Sequence, residues 1–168
     1  MKLLFLNMRT RFALKNNHAI RATIPYKSAK QVGILFTVED KLKHQQVKDF
    51  ITKLHHDGKE VQVLEYLPRK KENPEFMFDF FTIENLNFWG KINSASAEKF
   101  TKIQFDYLFV IDTQSNPLIY HFLANSKAHC SVGKYEETAT PFLDLMIETN
   151  GSVQALIDNM YEYTRKLR

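Results

Sequence analysis

The sequence predicts an α/β fold: an open, mostly parallel twisted sheet of about five to six strands flanked by helices. Three observations carry this. Residues 32–38, Val-Gly-Ile-Leu-Phe-Thr-Val, and residues 105–112, Phe-Asp-Tyr-Leu-Phe-Val-Ile-Asp, are nearly continuous apolar runs. Such runs suit strands that helices cover on both faces. Between residues 39 and 57, Val47, Phe50, Ile51 and Leu54 fall at i, i+3, i+4 and i+7, the spacing of one buried helix face. Residues 32–67 thus read as strand, helix, strand, the length of a right-handed crossover. The pattern is Rossmann-like, preceded by a basic N-terminal extension.

The elements follow in order. Residues 1–17 predict a short helix with Leu4, Phe5, Met8 and Phe12 near one face and Arg9, Arg11 and Lys15 elsewhere. Residues 18–30 lack periodicity and contain Pro25, so they read as an extended connector. After the first strand, Glu39 and Asp40 place negative charge at a helix start, and Gly58 is positioned to end that helix. Glu60 to Leu67 is the second strand, and residues 68–74 are a loop. The alternation of Phe76, Phe78 and Phe80 favours a strand, and Phe88 to Ile92 a loop tucked against the body. Residues 94–102 predict a short helix. The strand 105–112 is followed by Ser115 or Asn116 as a cap and Pro117 at the first helical position. Strands at 129–135 and 142–148 come next. A last helix begins after Ser152, with Val153, Leu156, Ile157 and Met160 inward and basic residues at its end. The division expected is an extension, 1–30, and one α/β domain, 31–168.

Composition narrows the class. The chain has 168 residues, 44% of them apolar, with 14 Phe, enough for an aromatic core. The lone cysteine, Cys130, can form no internal disulfide and sits in a strand-like run, which reads as a core residue in a reducing compartment. The apolar opening Leu3 to Leu6 stops at Asn7, with Arg9 and Arg11 behind it. It is too short for a secretion signal, and no run is long enough for a membrane helix. A cytoplasmic protein is expected.

The net charge of +4 is unevenly placed. Lys2, Arg9, Arg11, Lys15, Arg21, Lys27 and Lys30 give residues 1–38 seven positive charges, and that stretch contains no acid. A basic arm on a mildly acidic body suits an anionic partner: nucleic acid or a membrane surface. It equally suits an arm that docks on its own domain. Arg9, Arg11, Lys15 and Arg21 are the candidate partner-binding residues.

Catalytic motifs are missing. There is no glycine-rich phosphate loop, no GxSxG and no HExxH, and His55 and His56 are adjacent at a helix end. No catalytic residue, metal ligand or cofactor is assigned. In open α/β sheets, ligands bind beyond the carboxyl ends of the strands where strand order reverses. With the common order that point lies between strands 32–38 and 105–112. Glu39, Asp112, Thr113, Ser115 and Asn116 then become candidate ligand-binding residues.

One resemblance rests on particular residues. Asn87-Phe88-Trp89-Gly90-Lys91-Ile92, Phe105-Asp106-Tyr107-Leu108, Asn125 to His129 with Val132-Gly133-Lys134, and Leu143 to Ile147 resemble a Bacteroidetes-type family of small cytoplasmic proteins, a domain of unknown function, over about residues 31–167. The resemblance implies a fold and a bacterial, cytoplasmic setting, and no mechanism. Residues 112–133 are also similar, more weakly, to a strand–helix–strand segment in the acceptor-side domain of heptosyltransferase-like glycosyltransferases. The expected function is a non-enzymatic intracellular interaction or accessory domain that contacts an anionic or protein partner through the basic arm. The alternative is a small-ligand-binding or glycosyltransferase-like α/β domain that uses the switch-point crevice. Weak membrane association of residues 1–15 is a third expectation.

Overall fold

The computed structural model describes residues 1–168, except the side chain of Phe76. The chain opens with helix α1 (Lys2–Asn16), then alternates β1 (Gln31–Thr37), α2 (Lys41–His56), β2 (Glu60–Leu67) and β3 (Asp79–Thr82). It continues with α3 (Ala95–Lys102), β4 (Tyr107–Val110), α4 (Pro117–Asn125), β5 (Cys130–Lys134), β6 (Leu145–Ile147) and α5 (Val153–Arg165). The six strands are all parallel, in the order β3-β2-β1-β4-β5-β6. The chain runs outward from β1 to one edge, then returns through α3 to continue on the other side. The reversal therefore lies between β1 and β4, and the sheet is open and Rossmann-like.

Two cores follow from the two faces. Ile34 and Phe36 of β1 with Phe109 of β4 pack under Val47, Phe50 and Leu54 of α2 and Leu156, Ile157 and Met160 of α5. Leu35, Leu64, Phe81 and Leu108 face the other way, against Ala97 and Phe100 of α3 and Leu118 and Phe122 of α4. Alternate residues along each strand thus serve opposite layers. Rings meet at short range across each layer: Phe50 with Phe109 at 5.3 Å and Phe81 with Phe122 at 4.7 Å between centroids.

Capping fixes the helix ends near the switch point. The Asp40 carboxylate accepts from the Lys43 amide at 2.8 Å, and the Asn116 side chain accepts from the Leu118 amide at 3.0 Å, with Pro117 opening α4. Gly58 has φ 76°, the left-handed conformation that ends α2.

Three strands are shorter or later than their sequence patterns. Pro74 begins a single 3₁₀ turn, Pro74–Phe76, with Glu75 at φ 59°, so the third strand starts only at Asp79. Of the alternating Phe76, Phe78 and Phe80, only Phe80 lies in the strand, and the ring of Phe76 lies outside the described residues. The amides of Phe142 and Leu143 bond back to the Ala139 carbonyl in a turn, which leaves only Leu145–Ile147 to join the sheet. Of residues 105–112, only Tyr107–Val110 are strand, and on either side of it the Asp106 and Asp112 carboxylates accept from the Gln31 and Thr37 amides of β1.

Residues 1–30 lie on the body along their length. Leu6 of α1 is fully buried in the core under α4. Thr10 Oγ1 meets His121 Nδ1 at 2.9 Å, and burial lowers His121 to about 4, so the ring is neutral. Tyr26 and Ala29 are buried at the amino ends of the strands, where the Lys59 ammonium donates to both of their carbonyls. No helix among the described residues is long and apolar enough to cross a membrane.

Candidate functional site

The crevice beyond β1 and β4 is organised around Asp112, which is 8% exposed. Its Oδ1 accepts from the Thr37 amide and from the Lys43 ammonium, each at 2.8 Å, and its Oδ2 accepts from Thr37 Oγ1 at 2.7 Å. Asn116 Nδ2 donates to Thr37 Oγ1 at 3.3 Å. Lys43 also reaches Glu39, just ahead of the α2 N-cap, at 3.1 Å. Burial raises the Asp112 carboxyl pKa, and the Lys43 charge and the Thr37 donors oppose that rise.

The sequence candidates are thus partly assembled. Asp112, Asn116 and Glu39 join one network through Thr37 and Lys43. Thr113 contributes its carbonyl, which accepts from Lys134 Nζ at 2.9 Å, and Ser115 is exposed at the approach to α4. Lys43 was missed by sequence reasoning. No local pattern marks it, because its buried partner Asp112 lies 69 residues away. Chemically, the network holds two opposite charges fixed against each other and spends the capping groups of both helices inside the protein.

A separate cleft of about 700 Å³ lies between the start of α2 and the loop joining β2 to β3. Lys41, His44 and Lys48 line one wall with Glu39 and Asp40, and Lys70, Lys71 and Asn73 the other with Glu72 and Glu75, so lysines and carboxylates are equal in number. His44 and Asn73 are 4% and 5% exposed, and neither has a hydrogen-bond partner among the described residues. Burial lowers the His44 pKa, with Glu75 opposing and Lys48 reinforcing. Close by in the sheet, Glu65 is fully buried with both oxygens unpartnered. Burial raises it to about 7, and Asn73 is near enough to draw it down without forming a well-shaped hydrogen bond.

The third feature is the outer face of α1. The apolar residues that the sequence groups on one face do not make the docking face. Leu4, Met8 and Phe12 are 61%, 57% and 71% exposed, while Leu6 and Thr10 dock on α4. Phe5 sits at the margin, its ring 5.6 Å from both Phe88 and Trp89, which are themselves exposed. Arg9 Nε holds that loop by donating to the Trp89 carbonyl at 2.9 Å. Of the other basic candidates, Arg11 and Lys15 project from exposed positions on α1. Arg21 donates to the Ala128 carbonyl and lies 3.7 Å from Asp144. Cys130 is buried, its thiol pushed up to about 11 by burial, with Asp144 adding to the rise.

Against known families, residues 2–167 match a family of unknown function, DUF6913. The match takes in α1 and the connector as well as the sheet. No curated protein matches the chain.

Proposed function

The chain belongs to the DUF6913 family, whose description assigns no activity, and we propose that it is a non-enzymatic interaction domain that docks on an anionic membrane surface through the outer face of α1. One observation carries the reading: Leu4, Met8 and Phe12 stand in a row, one turn apart, on the side of α1 opposite the buried Leu6 and Thr10. A helix that only covered α4 has no use for three large apolar side chains in water.

Charge selects the kind of surface. Lys2, Arg9, Arg11 and Lys15 lie on the same helix, and α1 contains no acid. On such a face apolar side chains enter the acyl boundary while basic groups meet anionic headgroups. Exposed Trp89, beside Phe88, supplies a ring suited to the headgroup level. The lone buried thiol of Cys130 supports a cytoplasmic setting, where the inner leaflet is anionic.

The test is co-sedimentation of the full chain with vesicles of phosphatidylserine and phosphatidylcholine, against phosphatidylcholine alone. Binding is expected only with phosphatidylserine, and it falls as salt rises. The combined substitution Leu4→Ser, Met8→Ser and Phe12→Ser weakens binding by more than about tenfold, since apolar burial drives insertion, and leaves the melting temperature near wild type. A chain that stays in the supernatant at low salt overturns the reading. So does a triple variant that sediments as well as wild type.

A further inference from the structure

We propose that the cleft between α2 and the β2–β3 loop binds a small anionic heterocycle of the nucleoside-monophosphate class, with its ring edge paired to His44 and Asn73 and its phosphate held by Lys41, Lys70 and Lys71. The inference is independent of the membrane-docking face. It starts from two side chains that folding has stripped of water without giving them protein partners. His44 and Asn73 both line the cleft, both are more than nine-tenths buried, and all four of their polar atoms lack a partner among the described residues. A buried polar group left unpaired is destabilising unless something else satisfies it.

The chemistry of the pair defines the ligand edge. A neutral imidazole offers one donor and one acceptor, and a carboxamide offers two donors and an acceptor. The complementary edge carries both kinds of group side by side, as a nucleobase does. An aromatic wall stands next to it: Phe78 lies 5.2 Å from the His44 ring and 6.3 Å from Phe36. The cleft volume, about 700 Å³, falls in the range of small-molecule sites. The charge in the cleft is mixed. Of its carboxylates, Glu75 is paired with Lys48 at 3.0 Å, Glu39 with Lys43, and Asp40 caps α2, while Glu72 and the lysines Lys41, Lys70 and Lys71 form no ion pair among the described residues, so a phosphate is held only where those three lysines converge. The cleft also lies at the carboxyl ends of parallel strands, where ligands of open α/β sheets bind.

The loop provides the way in. The polar atoms of His44 and Asn73 are screened from solvent, so a ligand reaches them as residues 70–75 shift outward. Lys70 and Glu75 bound that segment, with φ of 64° and 59°. Left-handed backbone is strained for side chains of this kind. The Lys48–Glu75 ion pair joins the segment to α2.

The experiment uses the full chain with AMP, GMP, CMP and UMP as probes, read by saturation-transfer NMR and by thermal shift. At least one probe is expected to bind with a Kd below about 1 mM. The variant His44→Phe is expected to melt at or above the wild-type temperature, because it removes an unpaired polar group, and His44→Phe and Asn73→Leu are each expected to bind more than tenfold more weakly. Lys70→Ala with Lys71→Ala also weakens binding, more so at low salt. The triple α1 variant binds the nucleotide as wild type does, which separates this site from the membrane face. Failure of all four probes to bind at 1 mM overturns the proposal. Binding that His44→Phe and Asn73→Leu leave intact overturns it, and so does full competition by equimolar inorganic phosphate, which removes the role of the ring.

Discussion

Lys43 Nζ lies 2.8 Å from Asp112 Oδ1, with side chains 2% and 7% exposed, and this pair joins the first turn of α2 to the end of β4 across the intervening β1. The contact ties the two halves of the sheet together at the switch point.

Breaking one side of that joint is therefore costly. Asp112→Asn leaves a buried ammonium facing an amide and is expected to destabilise the fold by about 3–5 kcal/mol. Urea unfolding measures it. The double variant Asp112→Leu with Lys43→Met recovers most of the loss, because it removes both charges together.

Gly90 sets the seat of α1. Its φ is 74°, and a β-carbon there falls 2.4 Å from the Leu6 amide nitrogen and 2.6 Å from the Phe5 carbonyl carbon. Both neighbours are backbone and cannot swing aside. Gly90→Ala is expected to lift α1 from the 86–92 loop, at a loss of more than about 1 kcal/mol. Hydrogen exchange should show faster exchange at amides of α1 and near-native protection in β1 and β4.

Glu65 makes stability fall as pH rises. Its carboxyl is near its ordinary 4.5 when unfolded and is raised to about 7 when folded, by burial first, with Asn73 pulling the other way. Below pH 4.5 both states are protonated, and this group contributes its full stability. Between 4.5 and 7 only the unfolded state ionises, so stability declines, by up to about 3 kcal/mol in total. Glu65→Gln is expected to flatten that slope and to leave the chain more stable than wild type at pH 8. Urea titrations at several pH values check both.

Asp57 has the opposite sign. Burial works to raise its pKa, but hydrogen bonds from the Tyr26 and Tyr161 hydroxyls, each 2.7 Å, outweigh it, and the net direction is down. A depressed carboxyl contributes stability above its unfolded pKa and loses it as pH falls through the folded value. Asp57→Ala is expected to remove about 1.5–3 kcal/mol at pH 7, the range for hydrogen bonds to a charged group. It removes little once the carboxylate is protonated in both states.

Most of the sheet was legible because its central strands are buried on both faces. Val32 to Val38 and Tyr107 to Val110 can be little else, and Asp40, Gly58, Asn116 and Pro117 mark their helices by local chemistry alone. The edges were not legible. The Phe76, Phe78 and Phe80 alternation looks like a strand, yet Pro74 and the left-handed Glu75 turn the chain before pairing begins. In the crevice, Asp112 and Asn116 follow from strand order, but Lys43 is defined by a contact 69 residues away that no local pattern carries. On α1, period alone identified the apolar face and could not say which side meets α4. Leu6 and Thr10 take that side because His121 and Gly90 receive them.

The seat of α1 has a consequence for synthesis. Its partner α4 begins at Pro117, so roughly a hundred residues must be translated after α1 before its docking surface exists. At ribosomal rates of about 5–20 residues per second, that interval lasts several seconds. Throughout it, the nascent helix carries Leu6 on one side and Leu4, Met8 and Phe12 on the other, all without cover. A nascent chain in that state is a ready client for a chaperone or a bilayer, and α4 later hides only the Leu6 side.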